Sequence, residues 1–306
     1  MEVFDRALVR ARRDRAAPRL HEADFLFRES AVRLTDRLLD VTRTFPLALD
    51  LGCHTGMIGE DLRSSQKIGA LVQADLSPRM AQAAMAANQC AAACADEELL
   101  PFAAHSLDLV ISNLSLHWVN DLPGALAQIR AALRPDGLLL ATLFGSETLK
   151  ELRSALLDAE VEITGGAAPR VSPFTDVRDA GNLLTRAGFA LPVVDTETVT
   201  VTYSDMFKLM ADLRAMGEAN TVLERRRVPT RRDVLLRAAA LYADRFADDR
   251  GRLNATFQII TMTAWAPHAS QQKPLRPGTA SARLADALKA TEVALPDAVP
   301  LPPKLQ

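Results

Sequence analysis

The sequence predicts an α/β fold: a doubly wound, mostly parallel seven-stranded sheet with a helical insertion before its last strand. Three observations predict it. Short apolar runs alternate with helical spacings through residues 46–142. The first strand-to-helix turn carries glycines at 52, 56 and 59, and the second strand ends in an acid, Asp75. Two late strand-like segments bracket a helical stretch over 205–250.

Taken in order, residues 22–41 place Phe25, Leu26, Ala31, Leu34, Leu38 and Leu39 at mostly three- and four-residue spacings, an amphipathic helix entering the domain. Pro46–Leu51 reads as a short buried strand, and Gly52–Gly59 as a turn running into a helix with Glu60, Asp61 and Leu62. Gly69–Asp75 is the second strand. Ser77 caps the next helix, Pro78 stands in its first turn, and an alanine-rich body continues to Asn88. Ala91–Ala95 is a weaker third strand and Leu107–Ser112 a strong fourth. Helical spacing returns over Leu122–Leu133, and the Arg134-Pro135-Asp136-Gly137 turn delivers Leu138–Thr142 as the fifth strand. Ser146 is the expected cap of a helix reaching Glu160, and Asp176–Ala187 forms another that ends at Gly188. Thr196–Tyr203 and Thr256–Trp265 are the late strands, and a basic run from Arg225 to Arg232 lies between them. The expected organisation is a helical segment over 1–45, a ligand-binding sheet domain over 46–266, and a loosely ordered proline-rich tail over 267–306.

With 306 residues, 48% hydrophobic side chains and a formal charge of −2, the chain can bury a core without staples. Cys53, Cys90 and Cys94 are the only cysteines, an odd number without framework spacing, which points to a reducing compartment. No apolar run follows the arginine-rich start, and Glu2, Asp5 and Asp14 interrupt it, so the expected location is cytoplasmic. No stretch reaches the ~18 apolar residues that a membrane span needs. Membrane contact is then at most peripheral, through Arg6, Arg10, Arg12, Arg13, Arg15 and Arg19, unless that segment is simply a solvated helix. Near-balanced charge gives no basis for a nucleic-acid partner.

In a doubly wound sheet a ligand binds outside the carboxyl ends of the strands, where the crossover direction reverses. Here that place is Asp50-Leu51-Gly52-Cys53-His54-Thr55-Gly56. Gly52 and Gly56 let the backbone pass close to a ligand. Asp75, followed by Leu76, is placed to accept hydrogen bonds from both hydroxyls of a ribose. A dinucleotide loop would carry its middle glycine where His54 stands, so the spacing argues against a pyrophosphate. It suits a nucleoside ligand without phosphates, its amino-acid portion on the loop and its ammonium near Asp50. The plainer reading of the same residues is a structural strand-turn-helix corner. Asp96 and Glu97 follow the third strand, either meeting the edge of a base or standing in an exposed loop. Asn113 ends the fourth strand beside the expected reacting centre, and His117 is a catalytic candidate as a general base, or a packed ring next to Trp118. No metal site stands out, since Cys90 and Cys94 lack a nearby histidine.

These residues carry a resemblance. Asp50–Gly56, Gln73–Asp75 and Asp96–Phe102 resemble successive motifs of class I S-adenosylmethionine-dependent methyltransferases, a Rossmann-like fold, with His54 where the common motif has glycine. The resemblance implies S-adenosyl-L-methionine as cofactor, held by Asp50, Gly52, His54, Gly56, Asp75, Leu76, Asp96, Glu97 and Asn113. Leu114–Pro123 and Phe144–Arg153 resemble two related groups: the malonyl-carrier-protein O-methyltransferases of biotin synthesis, and the mitochondrial complex I assembly factor 5 family with its bacterial relatives. Val3–Arg6, Ser172–Thr175, Asp212–Asn220, Ala255–Ile260 and His268–Gln271 favour the second group. That group implies an enzyme hydroxylating an arginine on the complex I iron–sulfur subunit of the quinone site. The implied partner is that subunit or, in the alternative, an acyl carrier protein. A third reading is a non-catalytic assembly chaperone. Arg225, Arg226, Arg227, Arg231 and Arg232 would dock an acidic protein or pair a substrate carboxylate, or else form a solvated face. Fold alone does not fix the reaction.

Overall fold

Leucine, alanine and valine fill the central strands on both faces, as a sheet covered by helices on both sides requires. The computed structural model describes residues 2–272 and 284–291. Its strands are β1 (Phe45–Leu51), β2 (Ile68–Asp75), β3 (Ala91–Cys94), β4 (Leu107–Ser112), β5 (Leu133–Phe144), β6 (Ala190–Tyr203) and β7 (Leu253–Trp265). They pair in the order β3-β2-β1-β4-β5-β7-β6. The first five run parallel, and β7 enters antiparallel between β5 and β6. The chain moves outward from β1 to β3 and then returns to β4 on the other side of β1. The crossover therefore reverses between β1 and β4, which puts the ligand crevice expected of such a sheet at their carboxyl ends, where Asp50, Asp75 and Glu97 are now buried.

The helices are α1 (Arg6–Ala16), α2 (Phe25–Asp40), α3 (Met57–Leu62), α4 (Pro78–Asn88), α5 (Leu122–Ala132), α6 (Lys150–Thr164), α7 (Val177–Arg186), α8 (Met206–Ala215), α9 (Arg232–Phe246) and α10 (Leu284–Leu288). Alternation along β4 sends Leu109 and Ile111 to one face and Val110 to the other. The first face packs under Leu26, Phe27 and Leu34 of α2 with α6, α8 and α9. The second packs under Leu126 and Ile129 of α5 and Leu184 of α7. Met1–His268 form one compact unit, and α10 belongs to a second, Ala269–Gln306. Much of the expected proline-rich tail, at 273–283 and 292–306, lies outside the described residues.

Four local expectations are corrected. Arg134–Gly137 is not a turn ahead of the fifth strand but an irregular first part of β5, with a register shift opposite Leu107 and Leu109. Arg134 is held there by Asp108 at 2.7 Å, and the Asp136 N–H donates to the Ala266 carbonyl at 3.1 Å. Ser146 does not cap α6, which starts at Lys150 after Leu149 in a left-handed conformation (φ +56°). The returning β7 takes those amides instead: the Gly145 N–H donates to the Gln258 carbonyl and that of Leu149 to the Thr256 carbonyl. The stretch 205–250 is helical only in α8 and α9, and the basic run lies almost wholly in the link between them. Finally, the arginine-rich start is solvated on one face only: α1 leaves Arg10 and Arg15 exposed but buries Val9, Arg13 and Ala16. Among the described residues no helix is long and apolar enough to cross a membrane.

Candidate functional site

The crevice is built first by backbone conformation. Within five residues after β1, Gly52 (φ +70°), His54 (φ +48°) and Gly56 (φ +96°) all take the left-handed region. A side chain at Gly52 would place Cβ 2.0 Å from the Ser115 hydroxyl oxygen, so glycine is required by space as well as by φ. Gly56 leads into α3 and packs against Asn88 of α4. His54 bears strain that glycine would not. Its N–H donates to Asp75 (3.1 Å), its Nε2–H to the Asn113 carbonyl (3.1 Å), and its ring lies 4.4 Å from that of Phe27. Burial and the nearby Arg13 charge lower its pKa, keeping the ring neutral, and its Nδ1 is buried without a partner.

Asp50 and Asp75 occupy the ends of neighbouring strands and are both fully buried. One Asp50 oxygen accepts from Gln73 (2.9 Å), while the other, Oδ1, has no partner. Burial pushes the Asp50 pKa up to about 7 against the Gln73 hydrogen bond, with the Asp75 charge adding to the rise. Asp75 accepts the Ser77 N–H (2.8 Å) as well as that of His54.

Opposite them stands a residue of the arginine-rich start. Arg13, 1% exposed, reaches from α1 across Asp75 (3.5 Å) to Glu97 (2.9 Å) and the Ser115 hydroxyl (2.8 Å). Ser115 in turn donates to Glu97 at 2.8 Å. Arg6, from the first turn of α1, joins Glu97 and Asp96 from the rim. Burial works to raise the Glu97 pKa, but the Arg13 and Arg6 charges outweigh it and hold it at about 2. For Arg13, burial opposes the charge, and Asp75, Glu97 and Glu218 more than compensate.

The expected site residues therefore divide. Asp50, Gly52, His54, Asp75, Glu97 and the Asn113 carbonyl converge on the crevice. The Asn113 side chain turns away, donating to the Phe27 carbonyl (2.9 Å) and accepting from Thr142 (3.0 Å). Leu76 packs in a small cluster with Phe4, Val9, Trp118 and Val222. Asp96 sits at the rim with Arg6.

His117 is buried among Trp118, Phe144 and Phe174, with ring centroids 5.2, 4.7 and 5.7 Å away. Its Nε2 lies 3.0 Å from Glu218, which also accepts the Trp118 indole N–H at 3.0 Å. A carboxylate there assigns the proton to Nε2 and leaves Nδ1, buried and without a partner, as the basic nitrogen. Burial opposes the Glu218 charge, yet His117 and Arg13 lower its pKa overall. Glu218 follows Gly217 (φ +82°), and both lie within the Asp212–Asn220 stretch of the resemblance, the only signal for Glu218 in the sequence. Nearby, a cavity of about 110 Å³ is lined by Glu218, Phe174, Ser172 and Arg170. Phe174 is also part of the wall of a more open cavity of about 750 Å³, with Val3, Val171 and Val222.

The basic run is largely committed within the fold. Arg225 pairs with Asp5, Arg226 with the buried Glu160, and Arg231 with Asp233. Among the described residues, no three His, Cys, Asp or Glu side chains gather as a set that could hold a metal ion.

A methyltransferase-domain family model matches residues 49–141, the segment from β1 to β5 that builds this crevice. The chain is 45% identical to a Danio rerio protein described as arginine-hydroxylase NDUFAF5, mitochondrial, over 94% of this chain and 90% of that one. The Homo sapiens protein of the same description is 44% identical, with 92% and 82% covered. A malonyl-[acyl-carrier protein] O-methyltransferase from Methylovorus sp. (strain MP688) is 38% identical, with 89% and 93% covered. Among solved structures, a candidate methyltransferase from Bacillus halodurans C-125 superposes with a TM-score of 0.56 at 15% identity, covering 78% of this chain and 100% of that one, a likeness of fold alone. These findings overturn the expected cytoplasmic location: the zebrafish, mouse and human relatives are all described as mitochondrial, and a charge-interrupted, arginine-rich start was no guide to compartment.

Proposed function

Because the chain belongs to the arginine-hydroxylase NDUFAF5 family, a family with a methyltransferase fold, we propose that it is an enzyme that hydroxylates an arginine on a protein substrate, the iron–sulfur quinone-site subunit of complex I. The observation that carries this reading is the 45% identity over 94% of the chain, which extends well past the methyltransferase domain into the residues that supply Glu218. The site's chemistry supports it, since Glu97 and Glu218 are buried carboxylates suited to a guanidinium. Hydroxylation replaces C–H by C–OH. With dioxygen as the source, the second oxygen atom leaves as water, formed with two electrons from a reductant outside the chain and two protons from solvent.

The same crevice fits S-adenosylmethionine in the chemistry of its donors. Asp75 would accept the ribose hydroxyls and the unpartnered Oδ1 of Asp50 would face the ammonium, while Ser115 now stands over Gly52. Bound there, the cofactor supplies an electrophilic methyl group on a sulfonium. Among this chain's own residues, Glu218 fixes the His117 tautomer and His117 Nδ1 can take a proton from an acceptor group.

A second reading has its own support in the 38% identity to malonyl-carrier-protein O-methyltransferases. The deciding experiment compares intact peptide masses of the complex I iron–sulfur subunit from cells with and without this protein. The proposal expects one oxygen atom lost from an arginine peptide when the protein is absent. Unchanged masses, together with a biotin requirement in the deletion strain, would replace it with the carboxyl O-methyltransferase.

A further inference from the structure

The arginines of α1 close the crevice from within. Arg13 spans the two carboxylates and the hydroxyl that line it, and its guanidinium stands against the acid at the end of β2. Ser115, bonded to Arg13, covers the open side of Gly52, and a Glu97 oxygen lies 3.3 Å from the position a Gly52 Cβ would take. A ligand placing a diol on Asp75 and its body against Gly52 needs the volume that Arg13 and Ser115 now fill.

The attachment of α1 is of a kind that can be reversed. It gives Ala16 to the main core and Val9 to a small satellite cluster of Phe4, Leu76, Trp118 and Val222. Its other ties are polar: Arg13 to Asp75, Glu97 and Ser115, Arg6 to Asp96, Glu97 and the Trp118 carbonyl, Arg12 to the Asn220 carbonyl, Asp14 to Ser77, and the Asp5 backbone to Thr221. Eleven residues make a helix too short to persist in water without docking. Five of them are arginines, at 6, 10, 12, 13 and 15, a like-charge row relieved by the site's carboxylates. An element held this way belongs to the low-stability end of a fold.

We propose that α1 is a built-in competitor for the cofactor crevice: Asp75, Glu97 and Ser115 form a guanidinium cradle that Arg13 occupies, and a ribose-bearing cofactor enters when α1 undocks. This rests on the reading of the crevice as an S-adenosylmethionine site. Release of Arg13 frees Glu97 and the surroundings of Glu218 at the same step, so cofactor entry also uncovers carboxylates able to take a substrate guanidinium.

Hydrogen exchange of the full chain, with and without saturating S-adenosylhomocysteine, tests the idea in the wild type without any substitution. The amides of residues 6–16 should exchange about tenfold faster with the ligand bound. Calorimetry on Arg13→Gln and Arg13→Ala should give binding about tenfold tighter than wild type, because the competing docked state is removed. Arg10→Ala, on the exposed side of α1, should bind as wild type does. Slower exchange in α1 together with weaker binding by the Arg13 variants would overturn the inference, making Arg13 a clamp on the cofactor. Binding with unchanged α1 exchange would overturn it while leaving the cofactor reading intact. Absence of binding by wild type and variants alike would overturn both.

Discussion

Gly52 shows how one position can be fixed twice, by φ and by space. Gly52→Ala puts a methyl group into Ser115 and forces a left-handed alanine, so it should cost about 2–4 kcal/mol of stability. Ser115→Gly in the same chain should recover part of that loss, read as a coupling energy in urea unfolding. Strictly additive effects would show that the contact is not the cause. Asp50 makes a prediction about protons. Its folded pKa of about 7 stands above the unfolded 3.8, so its contribution to stability is full below pH 3.8 and is lost as pH rises through 7. A ligand ammonium beside it favours the carboxylate. Binding of S-adenosylhomocysteine at pH 7 should therefore release about half a proton, seen as a binding enthalpy that changes with the buffer's ionisation heat. A buffer-independent enthalpy would count against Asp50 as the ammonium's neighbour. At this scale the acids at strand ends were legible because strand periodicity places them. Arg13 was not, because arginine belongs in water unless partners far along the chain compensate its burial, and those partners lie 62 to 102 residues away.

Elements were legible where their own periodicity decides them. β4 and α4 occupy the residues expected, because Leu107–Ser112 has one dominant pattern and Ser77 does accept the Met80 N–H as a cap. Elements whose limits depend on a neighbour were misplaced. α6 starts three residues late because β7 engages the backbone of residues 145–149, and β6 begins at Ala190 because β7 offers it partners at Ala190 and from Val193 to Tyr203. Pro192 within β6 would ordinarily argue against a strand, but it falls in the irregular segment of an edge strand, where no ladder bond is required of it. Packing then ranks the helices. Leu126→Ala in α5 removes a fully buried side chain and should cost about 2–5 kcal/mol, whereas Leu157→Ala in α6, 44% exposed, should stay within about 0.5 kcal/mol. Thermal denaturation of the two variants side by side checks the ordering, and equal losses would contradict it.

For the whole molecule, the alternation of strands and helices was enough to anticipate a doubly wound sheet, because right-handed crossovers leave few other arrangements. The insertion of β7 between β5 and β6 does not follow from that rule, since an antiparallel return can add at either side of an edge. Ile260, fully buried in β7 with Leu143 and Thr196 as its neighbours across the sheet, tests how much depends on that insertion. Ile260→Asp should abolish soluble monomer, and a monodisperse variant by gel filtration would show the strand to be dispensable. The same insertion has a consequence for synthesis. A ribosome emits β5 more than a hundred residues before it emits β7, and through that interval β5 carries a bare row of amide and carbonyl groups while β6 has no strand to join. The nascent chain thus spends its longest vulnerable period with two sticky borders exposed, and any stall or premature stop before residue 253 leaves a product built to seek strands from other molecules.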